Sequence, residues 1–238
     1  DESVGYIFEN VTNPVVIANG VQITDATAKK QVGVLAQGTG AGMTLNGGIS
    51  VVGDNNTGVY SSTGQTVTNN GPLTLGASAG NSSIGIYSKG GAVINNGSST
   101  IGDNSLGIYG EETSVTTNDM TIGDKGVGVY LNNTALGQGD VTVNGNVSVG
   151  GNEAIGIQAS NAKTYLYGDL SVGAGDSKGI FSGNDGDVET TGDITVGSNS
   201  LGIYKNGNAE VKTGAGQTIT VDDGGYGIFA KGGAKVTN

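Results

Sequence analysis

Residues 83–87 read Ser-Ile-Gly-Ile-Tyr, and residues 105–109 read Ser-Leu-Gly-Ile-Tyr. This apolar-Gly-apolar-aromatic pattern recurs along all 238 residues, with its glycines 21 to 28 residues apart. Self-similarity at such a period is the sequence signature of a repeat architecture. The glycines of the pattern are Gly5, Gly33, Gly58, Gly85, Gly107, Gly128, Gly156, Gly179, Gly202 and Gly227.

Two further patterns keep step with the first. A Ser/Thr-apolar-Gly segment, such as Thr100-Ile101-Gly102, precedes most of the pattern glycines. A third short strand follows each aromatic pattern, with predicted apolar members Val67, Val93, Val115, Val141, Tyr165, Val188 and Val211. This strand usually ends in an Asn-Gly corner, where a positive φ is expected. The corner pairs are Asn19-Gly20, Asn46-Gly47, Asn70-Gly71, Asn96-Gly97 and Asn144-Gly145.

Each repeat therefore predicts three short strands and three corners. No segment keeps a helical apolar period, and the strands are too short for an array of long hairpins. We expect an all-β fold, a right-handed parallel β-helix of about ten coils of ~25 residues, in which each strand pairs with its copies above and below. Residues 1–238 form one continuous solenoid segment in this prediction, a part of a longer solenoid.

Composition excludes several kinds of chemistry. The chain has 47 glycines, no Cys and no His, and all ten basic residues are Lys. Thiol catalysis, disulfides and His-based triads are therefore excluded. The net charge of −11 argues against nucleic acid and anionic membrane surfaces as partners. We predict no catalytic residue, no metal ligand and no cofactor, and no stretch has the roughly 20 apolar residues that span a membrane.

Strand alternation predicts which side chains face outward. The apolar residues on both sides of each glycine, such as Ile84 and Ile86, are predicted to point inward. Gly85 and Tyr87 would then point outward. The outward column predicted in this way is Ile7, Leu35, Tyr60, Tyr87, Tyr109, Tyr130, Gln158, Phe181, Tyr204 and Phe229.

Two interpretations of this column stay open. Aromatic faces stack on sugar rings, and an exposed apolar patch often marks a contact surface. Rings stacked ~4.8 Å apart also stabilise a solenoid by packing on one another, without any ligand. The predicted ligand-binding residues are Tyr60, Tyr87, Tyr109, Tyr130, Tyr204, Phe181 and Phe229.

Acidic residues recur at one corner. Asp54, Asp103 and Asp124 follow the corner glycine, and Asp103 and Asp124 are predicted to lie on adjacent coils. Stacked carboxylates of this kind either bind Ca²⁺ or cap backbone amides, and we favour capping.

The repeated Leu/Ile-Gly-Ile-Tyr pattern, together with Thr-Ile-Gly-Asp-Asn-Ser at 100–105, resembles the passenger domains of large type V autotransporter adhesins, particularly those of fusobacteria. The resemblance extends from about Val32 to Val236. It implies a right-handed β-helix displayed outside the outer membrane and held there by a C-terminal barrel that this chain lacks. It also implies adhesion to host cells or to other bacteria, and hence a role in virulence. No ligand-binding motif of the family can be carried over residue by residue.

We therefore expect a non-enzymatic, monomeric adhesin segment at the cell surface, or its rigid stalk, with a host or bacterial protein or glycan as partner. Residues 132–149, around Leu136-Gly137-Gln138, are the candidate protruding loop. The alternative is a β-helix polysaccharide lyase or hydrolase, which the missing Arg and His disfavour. A third hypothesis, an ice-binding or surface-layer solenoid, is disfavoured because we expect scattered Thr residues and a Tyr column in place of a Thr array.

Overall fold

The computed structural model describes residues 3–27, 29–62 and 64–238. These residues form 29 short strands in three parallel sheets. Each turn of the chain adds one strand to each sheet, and every strand pairs in parallel with its counterparts in the neighbouring turns. The predicted all-β, right-handed parallel β-solenoid is confirmed. None of the described residues forms a helix that could cross a membrane.

The strands follow the order sheet A, sheet B, sheet C in every turn. Sheet A contains β1 Ser3–Glu9, β4 Gln31–Gln37, β7 Thr57–Ser62, β10 Ile84–Lys89, β13 Leu106–Glu111, β16 Val127–Asn132, β19 Ile155–Ser160, β22 Lys178–Gly183, β25 Leu201–Asn206 and β28 Tyr226–Lys231. Sheet B contains β2 Val15–Ile17, β5 Met43–Leu45, β8 Thr66–Asn69, β11 Ala92–Asn95, β14 Ser114–Thr117, β17 Val141–Val143, β20 Thr164–Leu166, β23 Val188–Thr190, β26 Glu210–Thr213 and β29 Lys235–Thr237. Sheet C contains β3 Val21–Ile23, β6 Ile49–Val51, β9 Leu73–Leu75, β12 Ser99–Ile101, β15 Met120–Ile122, β18 Val147–Val149, β21 Leu170–Val172, β24 Ile194–Val196 and β27 Ile219–Val221.

The turn count differs slightly from the predicted ten. Nine turns have all three strands, and a tenth contributes β28 and β29. Ten strands at a spacing of ~4.8 Å extend roughly 43 Å along the axis. The core is correspondingly thin, with one to three inward side chains per strand. Its main sheet A column is Val34, Val59, Ile86, Ile108, Val129, Ile157, Ile180 and Ile203, all fully buried.

The pattern glycines face the core, so the expectation that they point outward is wrong. A Cβ atom on Gly85 would lie 2.7 Å from Leu73 Cδ1 in sheet C and 2.6 Å from the carbonyl oxygen of Gly107 in the next turn. Gly85 and Ile86 are both buried, whereas Ile84 is only half-buried. Strict alternation fails here because sheet C packs so close to sheet A that no side chain fits at the glycine.

The first residue of the pattern consequently belongs to the outer face of sheet A. Its members pair in register from turn to turn. This first column is Val4, Val32, Thr57, Ile84, Leu106, Val127, Ile155, Lys178, Leu201 and Tyr226.

One predicted core residue lies on the wrong face. Tyr165 was expected to continue the valine column of sheet B, but Val141 pairs with Thr164, which is fully buried. Tyr165 pairs with the outward Thr142 and is half-buried. A shift of one residue exchanges the two faces of a strand, and the turn accepts the smaller Thr inside.

The corners use two different devices. Among the predicted Asn-Gly pairs only Gly20 has a positive φ, 73°. At Gly97 a side chain would instead collide with the backbone of Gly71 in the preceding turn. Positive φ is common at the other two corners, and at the corner between sheets C and A it is adopted by the non-glycine residues Lys30, Asn55, Asn104, Lys125, Glu153, Asp176 and Asn199. The Asn-Gly corners therefore need glycine for close stacking of turns.

The Thr residues of sheet C are aligned, so the expectation of scattered Thr is wrong. The middle residue of each sheet C strand points outward, and successive members pair directly. This hydroxyl column is Ser50, Thr74, Thr100, Thr121, Ser148, Ser171, Thr195 and Thr220. Because each strand has three residues, the column is one side chain wide.

Candidate functional site

The seven predicted binding residues lie in one column on the outer face of sheet A. Direct pairing joins Tyr60 to Tyr87, Tyr87 to Tyr109, and Tyr109 to Tyr130. The column continues through Gln158 to Phe181, Tyr204 and Phe229. The rings before Phe229 are half-buried by their neighbours, and Phe229 is 43 % exposed. The predicted alignment of these residues is therefore present in the fold.

Most neighbouring rings in this aromatic column are stacked. The centroids of Tyr60 and Tyr87 are 4.6 Å apart with planes at 15°, and those of Phe181 and Tyr204 are 4.7 Å apart with planes at 5°. Phe229 continues the second stack at 5.8 Å and 7°. Rings stacked in this way cover one another's faces, so in these turns the column acts mainly as a packing ladder.

Tyr109 departs from the stack. Its plane is at 86° to that of Tyr87 and at 85° to that of Tyr130, with centroids 5.3 and 5.1 Å away. Edge-to-face contact is a favoured aromatic geometry, so this rotation keeps the column packed. The stack of tyrosine rings is therefore interrupted at Tyr109, and neither face of this ring is stacked on Tyr87 or Tyr130.

A carboxylate and an amine flank the rotated ring. The Nζ atom of Lys89 lies 3.5 Å from Oε2 of Glu111. Burial raises the pKa of Tyr87 to about 12, and the negative charge of Glu111 adds to this increase. The pKa of Tyr109 is raised by burial and by its interaction with the same carboxylate. The two phenols therefore stay protonated and act as hydrogen-bond donors well into the alkaline range.

Near the end of the described chain a furrow of about 520 Å³ lies between the first column and the aromatic column. Its apolar walls there comprise Leu201, Tyr226, Phe181, Tyr204 and Phe229, with Lys178, Asp176 and Asn199 also lining it. Lys231 lies over a ring of the aromatic column, with its Nζ atom 5.3 Å from the centroid of Tyr204.

The predicted protruding loop is shorter than residues 132–149. Residues 141–143 and 147–149 are strands β17 and β18, which leaves 133–140 as the loop between sheets A and B. Gln138 Oε1 accepts hydrogen bonds from the Ala135 amide and the Thr134 hydroxyl, at 2.8 and 2.9 Å. Leu136 at its tip is 50 % exposed. The loop is thus an ordered projection.

Asp54 and Asp103 cap backbone amides, as favoured from the sequence, whereas Asp124 Oδ2 accepts from the side-chain amide of Asn152 at 3.3 Å. The Asp124 amide donates to Asp103 Oδ1 at 2.9 Å, and the Ala79 amide donates to Asp54 Oδ1 at 2.6 Å. Asp103 and Asp124 lie on adjacent turns, as predicted. Within residues 3–27, 29–62 and 64–238 no three acidic residues converge as a metal-binding group.

Lys205 is a buried residue that the sequence reasoning missed. It faces the interior of sheet A with no exposed surface, and its Nζ donates to the carbonyl of Asn184 at 2.6 Å and to Ser182 Oγ at 3.3 Å. Burial lowers its pKa, and the charges of Asp185 and Asp187 partly oppose that shift. Its burial could have been predicted only from strand alternation, because Lys205 directly follows the outward-facing Tyr204.

The chain was also compared with known proteins. No protein-family model, no curated protein and no solved structure matches the chain.

Proposed function

We propose that this chain is a non-enzymatic segment of a surface-displayed adhesin of the autotransporter-passenger type. It contacts a host or bacterial cell-surface protein or glycan, or it holds another binding region away from the cell as a rigid stalk. The observation that carries this proposal is the aromatic column on one outer face of a regular solenoid, with a furrow beside it at Phe181, Tyr204 and Phe229.

The solenoid is suited to a rigid, exposed role. Every turn is bonded to the next through three parallel sheets, so local bending breaks many hydrogen bonds together. The net charge of −11 favours solubility and contact with basic surfaces. An apolar strip on such an acidic rod is a candidate contact surface.

The experiment compares binding of the purified chain to host and bacterial cells with that of a Tyr87→Ser/Tyr109→Ser/Tyr130→Ser variant. A matched control, Thr100→Ala/Thr121→Ala/Ser148→Ala, alters the hydroxyl column in the same three turns. Circular dichroism checks that both variants keep their β structure. We expect the tyrosine variant to lose binding and the control to keep it.

The other outcomes separate the two forms of the proposal. Binding by both variants would place the contact elsewhere, with the loop at 133–140 as the next candidate. No binding by the parent chain would assign it the stalk role. Turnover of a uronic acid polymer, seen as absorbance of an unsaturated product, would replace the adhesin proposal with the lyase alternative.

A further inference from the structure

An asparagine column lies at the corner between sheets B and C. It contains four residues that each follow the last residue of a sheet B strand and precede a glycine, namely Asn46, Asn70, Asn96 and Asn144. Their backbone amides donate to carbonyls of the preceding turn at 2.8 to 3.0 Å, and their side chains are exposed. The pair Asn19-Gly20 lies one residue later in its corner and is not part of this column. Four chemically alike Asn-Gly pairs therefore occupy equivalent places in the fold.

Three of the four side chains form a hydrogen-bonded ladder. Asn70 Nδ2 donates to Asn46 Oδ1 at 3.0 Å, and Asn96 Nδ2 donates to Asn70 Oδ1 at 2.8 Å. The next turn adds Asn118, whose Nδ2 atom donates to the backbone carbonyl of Asn96 at 2.7 Å. Turning the side chain of Asn46, Asn70 or Asn96 towards its following glycine therefore breaks at least one hydrogen bond.

Asn144 is left out of this ladder. Its side chain is exposed and makes no hydrogen bond to any residue of the described part of the chain. In the preceding turn, the side-chain amide of Asn118 donates in the opposite direction, to the turn before it. In the following turn the column holds Tyr167, whose ring is stacked against that of Tyr165, with centroids 6.4 Å apart and planes at 13°. The Asn144 side chain is therefore free to rotate towards the next backbone nitrogen.

We infer that Asn144 is a site of spontaneous deamidation, and that the side-chain ladder protects Asn46, Asn70 and Asn96 from the same reaction. The Gly145 nitrogen attacks Asn144 Cγ, and glycine has no Cβ atom to hinder this approach. A bond forms between the Gly145 nitrogen and Cγ, the bond between Cγ and Nδ2 breaks, and ammonia leaves with the proton of the backbone amide. Water then opens the resulting succinimide ring at either carbonyl and yields aspartate or isoaspartate. This modification goes beyond the proposed function and does not depend on it.

The modification disturbs the corner in which it occurs. Isoaspartate carries the chain through its Cβ atom, which adds one atom to the backbone. The corner has no room for this atom, because even a Cβ atom on Gly145 would lie 2.6 Å from the Asp119 amide nitrogen in the preceding turn. Either product also adds a carboxylate to this corner. We therefore expect deamidation to open the chain locally between β17 and β18 and to lower its stability.

The first experiment compares the four sites within one chain. The purified chain is incubated at mildly alkaline pH and digested, and mass spectrometry of the peptides measures the fraction of each amide that has become an acid. In concentrated urea, which removes the ladder, all four sites should react at similar rates because each asparagine precedes a glycine. In the folded chain Asn144 should react at least about tenfold faster than Asn70, which must break two hydrogen bonds. Equal rates at Asn144 and Asn70 in the folded chain would overturn the inference.

A second experiment removes the ladder from one site. Asn70→Ala takes away the acceptor of the Asn96 side chain, so deamidation at Asn96 should accelerate towards the rate at Asn144. Thr191→Ala is the matched control, because Thr191 lies in the same column and its Oγ1 donates to the Tyr167 carbonyl at 3.0 Å, outside the ladder. Circular dichroism checks that both variants keep their β structure. An unchanged rate at Asn96 in Asn70→Ala would overturn the protective role of the ladder.

A third measurement tests the consequence for the fold. Asn144→Gln keeps a side-chain amide, but its cyclisation needs a less favourable six-membered ring. Urea denaturation before and after the incubation should show a loss of stability in the parent chain and none in Asn144→Gln. An equal loss in both chains would overturn the assignment of the damage to this corner.

Discussion

Tyr109 meets Tyr87 edge-on, with ring centroids 5.3 Å apart and planes at 86°, although Tyr87 stacks almost flat on Tyr60. The change of geometry occurs where Glu111 approaches both phenols. The backbone pairing is regular here, but the side chains on the outer face are not. At this place the two tyrosine rings lie near the Glu111 carboxylate, which is paired with the Lys89 amine.

The tyrosines make stability fall in alkaline solution. The pKa of Tyr87 is raised from 10.0 to about 12 and that of Tyr109 is also raised. Below pH 10 these phenols are neutral in both folded and unfolded chains. Between pH 10 and about 12 the unfolded chain loses the Tyr87 proton while the folded chain holds it, so stability falls as the pH rises, and the raised pKa of Tyr109 acts in the same direction.

Absorbance of the phenolate measures this effect. Tyr87→Phe should remove a component that titrates near pH 12. Glu111→Gln should lower the pKa of both phenols only in part, because burial is the larger cause. Loss from Tyr87→Phe of a component that titrates near pH 10 would contradict the assignment.

The strand pattern and the aromatic column are predictable from sequence because they depend on the repeat alone. In parallel sheets stacked turn on turn, residues at the same place in each repeat must form a column. The orientation of Gly85 is not predictable by alternation, because it depends on how closely Leu73 of sheet C approaches. Thr164 points inward because of the pairing register of its strand. The sequence alternation around Tyr165 is compatible with either register, so it did not predict which residue is buried.

The aromatic column was predictable as a set of aligned residues, but the orientations of its rings were not. Nothing in the repeated Tyr pattern distinguishes the rotated Tyr109 from the stacked Tyr204. The buried amine of Lys205 was likewise hidden, since its column holds Ser182 and Ala159 in the preceding turns.

Gly85→Ala should destabilise the solenoid. The new Cβ would lie 2.6 Å from the Gly107 carbonyl oxygen and 2.7 Å from Leu73, so backbone and core must both move. We expect a loss of about 1–3 kcal/mol in the free energy of unfolding, measured by urea denaturation. Gly183→Ala in β22 is the control, because its nearest neighbour, Ser160 Oγ, is 3.6 Å away. Equal losses in the two variants would refute the packing role of the pattern glycine.

Lys205 should give stability the opposite pH dependence to the tyrosines. Burial lowers its pKa from 10.5, so the unfolded chain binds this proton more tightly than the folded chain. Stability should therefore rise as the pH increases from the lowered pKa towards 10.5. Lys205→Met should lack this rise in denaturation series across that range. A parallel pH profile for both chains would show that the buried amine titrates normally.

Asn95 should contribute more to stability than its exposed neighbour Asn96. The buried Asn95 amide donates to Ser99 Oγ at 2.9 Å and to Thr117 Oγ1 at 3.1 Å, and its oxygen accepts from Asn69 Nδ2 at 2.7 Å. Asn95→Ala removes these bonds inside the corner between sheets B and C, at a cost of about 1–3 kcal/mol. Asn96→Ala removes one surface bond, to Asn70 Oδ1 at 2.8 Å, and should cost less than about 1 kcal/mol. Both residues occupy the same corner of the same turn, so the two variants are directly comparable in thermal unfolding. A larger loss of stability in Asn96→Ala would mean that the exposed bonds between asparagine side chains of successive turns stabilise the corner.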